Sequence, residues 1–192
     1  MKSNVKTITR VGMLSAVAAI LFLIPGIPLF QQVYKLDFST LPALLGGFSM
    51  GPVAGLIIVF IKDAIGCTTS DSLYIGELAD FLVSSTLVVT ASLWYQRRRT
   101  LSGALVGMSV GVLLMTVVGA LANYYILIPW YRDKIGYPME AIFAAMPKFL
   151  PPIDSLWELV LMVTTPFNLI KGIALCVITA LLYKRLSPLL HR

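Results

Sequence analysis

The segment LPALLGGFSMGPVAGLIIVFIK, from Leu41 to Lys62, fits two different helical arrangements. It is apolar over almost its whole length, so it suggests one long helix. Gly51-Pro52 interrupts it in the middle, and a proline inside a helix removes a backbone hydrogen-bond donor and clashes with the preceding turn. The segment therefore predicts either one interrupted helix or two short helices that meet at Gly51-Pro52.

The composition of the whole chain indicates an integral membrane protein. Of its 192 residues, 58% are hydrophobic and only 12% are charged, whereas a typical soluble domain has about 25% charged residues. The mean hydropathy is +0.87. No interval is long and polar enough for a separate soluble module, so we expect a single membrane-embedded domain over residues 1–192.

Four other segments are apolar over about the 20 residues that one helical span needs. They are residues 8–29, 74–96, 102–128 and 158–183. The number of crossings then depends on whether Leu41–Lys62 contributes one helix or two. A helix of about 10 residues rises only about 15 Å and does not cross a bilayer alone. Because irregular backbone at membrane depth needs shelter, two short helices here would help to wall a cavity.

Basic residues decide between the two arrangements, because cytoplasmic loops collect Lys and Arg. Three basic clusters contain no acid: Lys2, Lys6 and Arg10; Arg97, Arg98 and Arg99; and Lys184, Arg185 and Arg192. Only two short helices place all three clusters on one side. We therefore predict an all-α integral membrane protein of six transmembrane helices, with helices 2 and 3 short and joined at Gly51-Pro52 and with cytoplasmic N- and C-termini. The net charge of +6 is then an orientation signal and gives no support to a nucleic-acid partner.

Small residues form a stripe on each of two predicted helices, where another helix is able to approach closely. On the first helix the stripe is Gly12, Ser15, Ala16 and Ala19. On the fifth helix it is Gly103, Gly107, Gly111 and Gly119. Packing within the bundle is the favoured interpretation for the fifth helix. For the first helix, packing within the bundle and docking to a separate membrane protein remain equally open.

The last apolar segment carries Asn168 and Lys171, which share a helix face because they are three residues apart. Lys171 lies 13 residues before Lys184, about 20 Å along a helix, which is too far for its side chain to reach the cytoplasmic boundary. An ionisable group at such depth is a candidate functional residue. The alternative is a structural ion pair with Glu77 or Asp80.

The fifth helix supplies an amide and aromatic rings. Asn123 lies on the same i+4 row as the glycines of that helix, and an interhelical hydrogen bond is its alternative role. Aromatic residues cluster at the outer end of the helix: Tyr124, Tyr125, Trp130 and Tyr131. Such residues often form an interfacial belt, but aromatic walls with two amides and one cation also suit a planar heterocycle.

Four fragments resemble the riboflavin-specific S components of energy-coupling factor (ECF) transporters. They are KLDFSTLPALLGGFSMGPVAGLIIVFIKD (residues 35–63), GELADF (76–81), ANYYILIPWY (122–131) and TPFNLIKG (165–172). The resemblance implies a multi-pass subunit of the bacterial cytoplasmic membrane that captures riboflavin. It also implies a transmembrane coupling subunit, on which the first-helix stripe docks, and two ATPase subunits that supply energy.

The resemblance also implies the residues that contact the vitamin. By motif match, Asn123, Asn168 and Lys171 are the polar contacts. The loop after the first helix lines or covers the pocket through Asp37, Phe38 and Thr40, and the predicted set is completed by Tyr124 and Glu77. The chain departs from the family pattern at Asp80, where an Asn is more usual, and a carboxylate there is able to pair with Lys171.

Several other functions have less support in the sequence. No G-x-x-x-x-G-K-[ST] phosphate loop is present, so we expect ATP hydrolysis to come from partners. The single histidine, His191, gives no metal site, and no cofactor is expected apart from riboflavin as the transported ligand. The alternatives are an S component for flavin mononucleotide or another vitamin, and an intramembrane enzyme that uses Lys171 with Glu77 or Asp80 as an acid/base pair. We predict that the chain is not an enzyme.

Overall fold

Six main helices form the framework of the protein. The computed structural model describes residues 2–30, 34–70, 72–136, 138, 143 and 153–190. Within these residues the helices are α1 (Lys2–Leu23), α2 (Leu41–Met50), α3 (Pro52–Gly66), α4 (Ile75–Arg97), α5 (Leu101–Ala122) and α6 (Thr165–Leu190). Five helical stretches are long and apolar enough to cross a membrane, and α2 is a shorter apolar helix. The prediction of a membrane protein built on six helices is confirmed.

The chain breaks between α2 and α3 at Gly51, whose φ of +104° lies in a region that favours glycine. Pro52 follows as the first residue of α3, where its missing N–H has no helical partner to lose. The 10 residues of α2 make it short. The α3 stretch is longer than the sequence predicted, because with the 3₁₀ turn Cys67–Thr69 it forms an apolar run of 18 residues.

Helix α2 lies inside the bundle, where it contacts α1, α3, α4 and α6. Most of its side chains are buried, among them Leu44 and Phe48. Its neighbours approach closely at glycines. A Cβ on Gly47 would lie 2.1 Å from Ser92 Oγ on α4, and one on Gly55 of α3 would lie 2.6 Å from Val88 Cγ1. The short helix is therefore enclosed by longer ones.

The glycine stripe of α5 packs within the bundle, as the sequence predicted. A Cβ on Gly107 would lie 2.8 Å from Trp94 Cβ, and one on Gly111 would lie 2.9 Å from Leu87 Cδ1, both on α4. A Cβ on Gly119 would lie 2.6 Å from Asn168 Nδ2 on α6. The stripe thus holds α5 against α4 along one part of its length and against α6 along another.

The small-residue stripe of α1 is divided between two environments. Ser15 and Ala19 are buried against the bundle, whereas Gly12 and Ala16 are exposed. Among the described residues, no atom outside the adjoining backbone of α1 lies within 4 Å of a Cβ built on Gly12. Half of the stripe therefore packs within the protein and half remains on its surface.

A two-stranded antiparallel sheet follows α1, and the all-α prediction did not include it. Strand β1 (Ile27–Phe30) pairs with β2 (Tyr34–Leu36), with Ile27 opposite Leu36. We predicted a first helix over residues 8–29, because the apolar run continues to residue 29. Pro25 lies just after the end of α1. A proline disfavours helical backbone at the residue before it, so the helix ends before the apolar run does.

Three segments of π-helix interrupt the last two long spans, near the polar residues of those spans. Helix α5 continues through π-helical Asn123–Leu127, the turn Ile128–Trp130 and π-helical Tyr131–Ile135. The turn Leu156–Leu159 and π-helical Val160–Thr164 precede α6. Such segments are rare in proteins, and those that occur are often found at functional sites. One of them begins at Asn123, and another ends at Thr164, four residues before Asn168.

Replacing Gly107 with Leu should destabilise the protein, because the added side chain has to enter the contact with Trp94 and Ala91. Overpacking of this kind costs about 1–3 kcal/mol. Thermal unfolding of the purified protein in detergent measures the effect. The matched control is Gly12→Leu on the open face of α1, which should leave the unfolding temperature close to that of the wild type. Equal stability of the two variants would contradict the assigned packing of α5 on α4.

Candidate functional site

Lys171 meets two carboxylates inside the protein. Its side chain is on α6 and only 4% of the residue is exposed. Its ammonium donates to Asp37 Oδ2 at 2.8 Å and to Asp80 Oδ1 at 2.9 Å. An unpaired charge at this depth would cost several kcal/mol, so both contacts help to hold Lys171 in its charged form. The expected internal partner is therefore present, and Asp80 is one of two.

Asp80 also binds a second buried lysine. Lys62 of α3 is fully buried and donates to Asp80 Oδ2 at 2.6 Å and to Asp63 Oδ1 at 2.5 Å. We refer to the five residues Asp37, Lys62, Asp63, Asp80 and Lys171 as the charge cluster. Its three carboxylates and two ammonium groups give a formal charge of −1. The cluster joins α3, α4, α6 and the loop after β2.

The sequence analysis missed Lys62 and Asp63 because both lie at the end of an apolar run. The sequence does contain an indication of their role, because two adjacent ionisable residues at the end of a predicted membrane helix are candidate functional residues. In the structure Asp63 Oδ2 is buried and has no hydrogen-bond partner among the described residues. Asp63 thus uses one of its two oxygens on Lys62.

The loop between β2 and α2 is tied to the cluster by short polar contacts. Asp37 Oδ1 accepts hydrogen bonds from the backbone N–H of Ser39, at 3.0 Å, and from the Ser39 hydroxyl. Thr40 Oγ1 lies 3.0 Å from Ser84 Oγ, and Ser84 in turn donates to Asp80 Oδ2 at 3.0 Å. Phe38 is partly buried against the main apolar core. Asp37 and Thr40 are therefore brought to the cluster, as two of the three predicted loop residues.

The two buried asparagines belong to a second set of hydrogen-bonded polar side chains. The Tyr34 hydroxyl donates to Asn123 Oδ1 at 3.3 Å and lies 2.8 Å from Thr164 Oγ1. The amide nitrogen of Asn123 donates to Gly119 O at 2.8 Å, and that of Asn168 donates to Thr164 O at 3.0 Å. We refer to Tyr34, Asn123, Thr164 and Asn168 as the amide group. It connects β2 with the π-helical segments of two adjacent helices.

Tyr34 is the side chain that the hairpin contributes to the amide group. Its ring centroid lies 5.0 Å from that of Phe167. Burial raises the pKa of the Tyr34 hydroxyl to about 12, and the hydrogen bond with Thr164 opposes that shift. The hydroxyl therefore stays protonated at physiological pH and acts as a hydrogen-bond donor. The sequence analysis placed Tyr34 outside its predicted set because the hairpin was not expected.

Two predicted residues make their contacts elsewhere. Glu77 accepts hydrogen bonds from Ser70 Oγ at 2.8 Å and from Ser72 Oγ at 3.1 Å, in the turn before α4. The structure thus pairs Lys171 with Asp80 and not with Glu77. The Tyr124 ring packs edge-on against Tyr125, at 4.9 Å between centroids, and against Trp157, at 5.9 Å. Neither residue belongs to the charge cluster or the amide group.

Helix α6 links the charge cluster and the amide group, because it carries Lys171 of the first and Asn168 of the second on neighbouring turns. The model of the family described as "ECF transporter, substrate-specific component" matches residues 6–183. The chain belongs to this family. It is therefore an S component, a multi-pass protein of the bacterial cytoplasmic membrane.

Two relatives and one solved structure are similar to this chain over nearly their whole length. The riboflavin transporter RibU of Staphylococcus aureus is 33% identical over 193 residues, which cover 100% of this chain and 95% of that protein. The riboflavin transporter FmnP of Bacillus subtilis is 27% identical, covering 96% of this chain and 94% of that one. A solved S component of a bacterial ECF transporter matches with a TM-score of 0.78 and 30% identity, covering 98% of this chain and 99% of the other.

Replacing Tyr34 with Phe should lower the stability of this S component, because the change removes a buried hydroxyl and leaves Asn123 Oδ1 and Thr164 Oγ1 without that hydrogen-bond partner. A buried polar group without its partner costs about 1–3 kcal/mol. Thermal unfolding in detergent without ligand is the measurement. Tyr125→Phe is the matched control, because Tyr125 is 69% exposed. A Tyr34→Phe protein as stable as the control would contradict the assigned role of the hydroxyl.

Proposed function

We propose that this S component is the riboflavin-binding, substrate-capture subunit of an ECF-type importer. The observation that carries the proposal is the placement of Asn123, Asn168 and Lys171, which are all buried and within a few turns of each other on two packed helices. They are also the residues to which the sequence resemblance assigns ligand contacts. The riboflavin transporters of Staphylococcus aureus and Bacillus subtilis support the same ligand.

The chemistry of these side chains suits the edge of a flavin ring. The pyrimidine edge of an isoalloxazine offers carbonyl acceptors and an N–H donor, and an asparagine amide provides both complementary functions. Lys171 donates to a carbonyl or to a ribityl hydroxyl. Burial of the large flat ring supplies affinity, while the polar edge supplies selectivity because each unsatisfied contact costs about 1–3 kcal/mol.

The formal charge of the cluster favours a neutral ligand. With three carboxylates against two ammonium groups, a phosphate close to it would meet an excess of negative charge. Riboflavin carries no charge at neutral pH, whereas flavin mononucleotide carries a phosphate. We therefore expect riboflavin to bind more tightly than its phosphate.

Transport requires partners, and we assign the docking surface to the exposed half of the α1 stripe. Only 17% of the α1 span is buried, against 39–44% of the other four spans. Gly12 and Ala16 leave a smooth face on which a second helix is able to pack closely. The proposed partners are the transmembrane coupling subunit and two ATPase subunits. The basic clusters support a cytoplasmic position for both termini of the chain.

The binding role is tested by titrating purified protein with riboflavin and following the quenching of flavin and tryptophan fluorescence. We expect saturable one-to-one binding and weaker binding of flavin mononucleotide. Lys171→Ala and Asn168→Ala should each weaken riboflavin binding by about tenfold or more, since each removes a polar contact inside a buried site.

Lys134→Ala serves as the control for the titration, because Lys134 is exposed and lies outside both polar groups. Each variant must also elute as a single folded species. Native affinity in both the Lys171 and the Asn168 variants would refute the site. Absence of riboflavin binding by the folded wild type would refute the ligand itself, and thiamine and flavin mononucleotide in the same assay would then identify another vitamin.

The docking surface is tested separately with Ala16→Trp. The change should leave riboflavin affinity as in the wild type, because Ala16 is exposed and far from the polar groups in sequence. It should reduce riboflavin uptake and co-purification with the coupling subunit. Leu113→Trp is the control, since Leu113 is a 62% exposed residue of α5. Full assembly and uptake with Ala16→Trp would show that partners dock elsewhere.

A further inference from the structure

Lys62 is a fully buried charge that has no place among the proposed ligand contacts. Its ammonium donates to Asp63 Oδ1 and Asp80 Oδ2 and lies 4.3 Å from the centroid of the Phe22 ring on α1. Two carboxylates and one aromatic face thus enclose it, with α1, α3 and α4 each contributing a side chain. Lys62 is held by the protein itself, so its effect on a ligand has to pass through another residue.

Asp80 is the residue through which such an effect passes. Its Oδ1 accepts from Lys171, while its Oδ2 accepts from Lys62 and from the Ser84 hydroxyl. The two lysines therefore share one carboxylate charge. If Lys62 were neutral, the formal charge of the cluster would change from −1 to −2. Asp80 would then act on Lys171 alone, and the attraction is strong because the surroundings have a low dielectric constant.

We propose that Lys62 is a positioning residue for the ligand-binding lysine. Because Lys62 binds one oxygen of Asp80, the Lys171 ammonium shares its hydrogen bonds between Asp37 and the other oxygen of Asp80. An ammonium has three N–H donors, and Lys171 uses two of them on these carboxylates. The third donor is left for the ligand. This inference rests on the proposed function, because Lys171 serves a ligand only if the protein binds one.

A purely structural role of Lys62 makes a different prediction. If Lys62 only held α1, α3 and α4 together, its loss would lower the stability of the protein and leave the riboflavin affinity of the folded protein unchanged. If it acts through Asp80, its loss should matter little once that charge is removed. Asp80→Asn keeps the shape of the side chain and removes the charge that joins the two lysines. A double-mutant cycle with Lys62→Gln therefore separates the two roles.

The experiment compares riboflavin affinity in four full-length proteins: wild type, K62Q, D80N and K62Q/D80N. The formal cluster charges are −1, −2, 0 and −1, respectively. We expect K62Q to weaken binding by about tenfold or more in the wild-type background, as for loss of one partner in a buried charge pair. In the D80N background the same change should alter the affinity by less than about twofold, so that the effects of the two mutations are strongly non-additive.

Two further variants and a stability measurement complete the test. Lys62→Arg keeps the charge and should restore most of the affinity that K62Q loses. Lys134→Gln, at an exposed lysine outside the cluster, controls for loss of a positive charge in general. Unfolding temperatures without riboflavin show whether each variant is folded, and a purely structural role of Lys62 would lower them without changing the riboflavin affinity of the folded protein.

Three outcomes would overturn the inference. They are native affinity in folded K62Q, an equal loss from K62Q with and without D80N, and an equal loss in Lys134→Gln. If K62Q alone does not fold, the comparison of K62Q/D80N with D80N still decides, because a tenfold loss there would exclude action through Asp80. A folded wild type that binds no riboflavin would overturn this inference together with the proposed function, whereas tight wild-type binding with any of the three outcomes would overturn only the role of Lys62.

Discussion

The position of Asp80 between two buried lysines is the constraint on which this end of the helix bundle depends. Lys62 comes from α3, Lys171 from α6, and Asp80 itself from α4. Each charge would be costly in this environment without its partners. The three helices are therefore held in one arrangement by ionic contacts as well as by packing. Asp37 extends the same contacts to the loop after β2.

The amide group shows how irregular backbone is used beside these charges. Asn123 begins one π-helical segment, and Thr164 ends the other. In a π-helix the register of the side chains shifts relative to an α-helix, so a polar residue turns toward a different neighbour. Tyr34 then links the two segments through its hydroxyl. Membrane depth, which penalises unpaired polar groups, makes these local contacts decisive for the shape of the site.

Much of the architecture was predictable from the sequence, because membrane segments are long and apolar and because basic residues mark the loops. The partner of Lys171 was also predictable in kind, since a deep ammonium needs a carboxylate. The hairpin was not, because Ile27–Phe30 continues the apolar run of the first helix. Lys62 was overlooked at the end of another such run. Burial of Asn123 by Tyr34 depended on the same unexpected hairpin, and no local pattern indicates a contact across 89 residues.

The enclosure of α2 has a consequence for the biogenesis of the protein. Gly51 breaks the backbone beside a helix of only 10 residues, and lipid tolerates neither an isolated short helix nor an irregular turn. The surroundings of α2 include α6, which leaves the ribosome after the other five helices. Insertion into the bilayer therefore passes through a stage at which α2 has left the ribosome and its final neighbour has not. At that stage α1, α3 and α4 have to shelter α2 until the C-terminal helix completes the bundle.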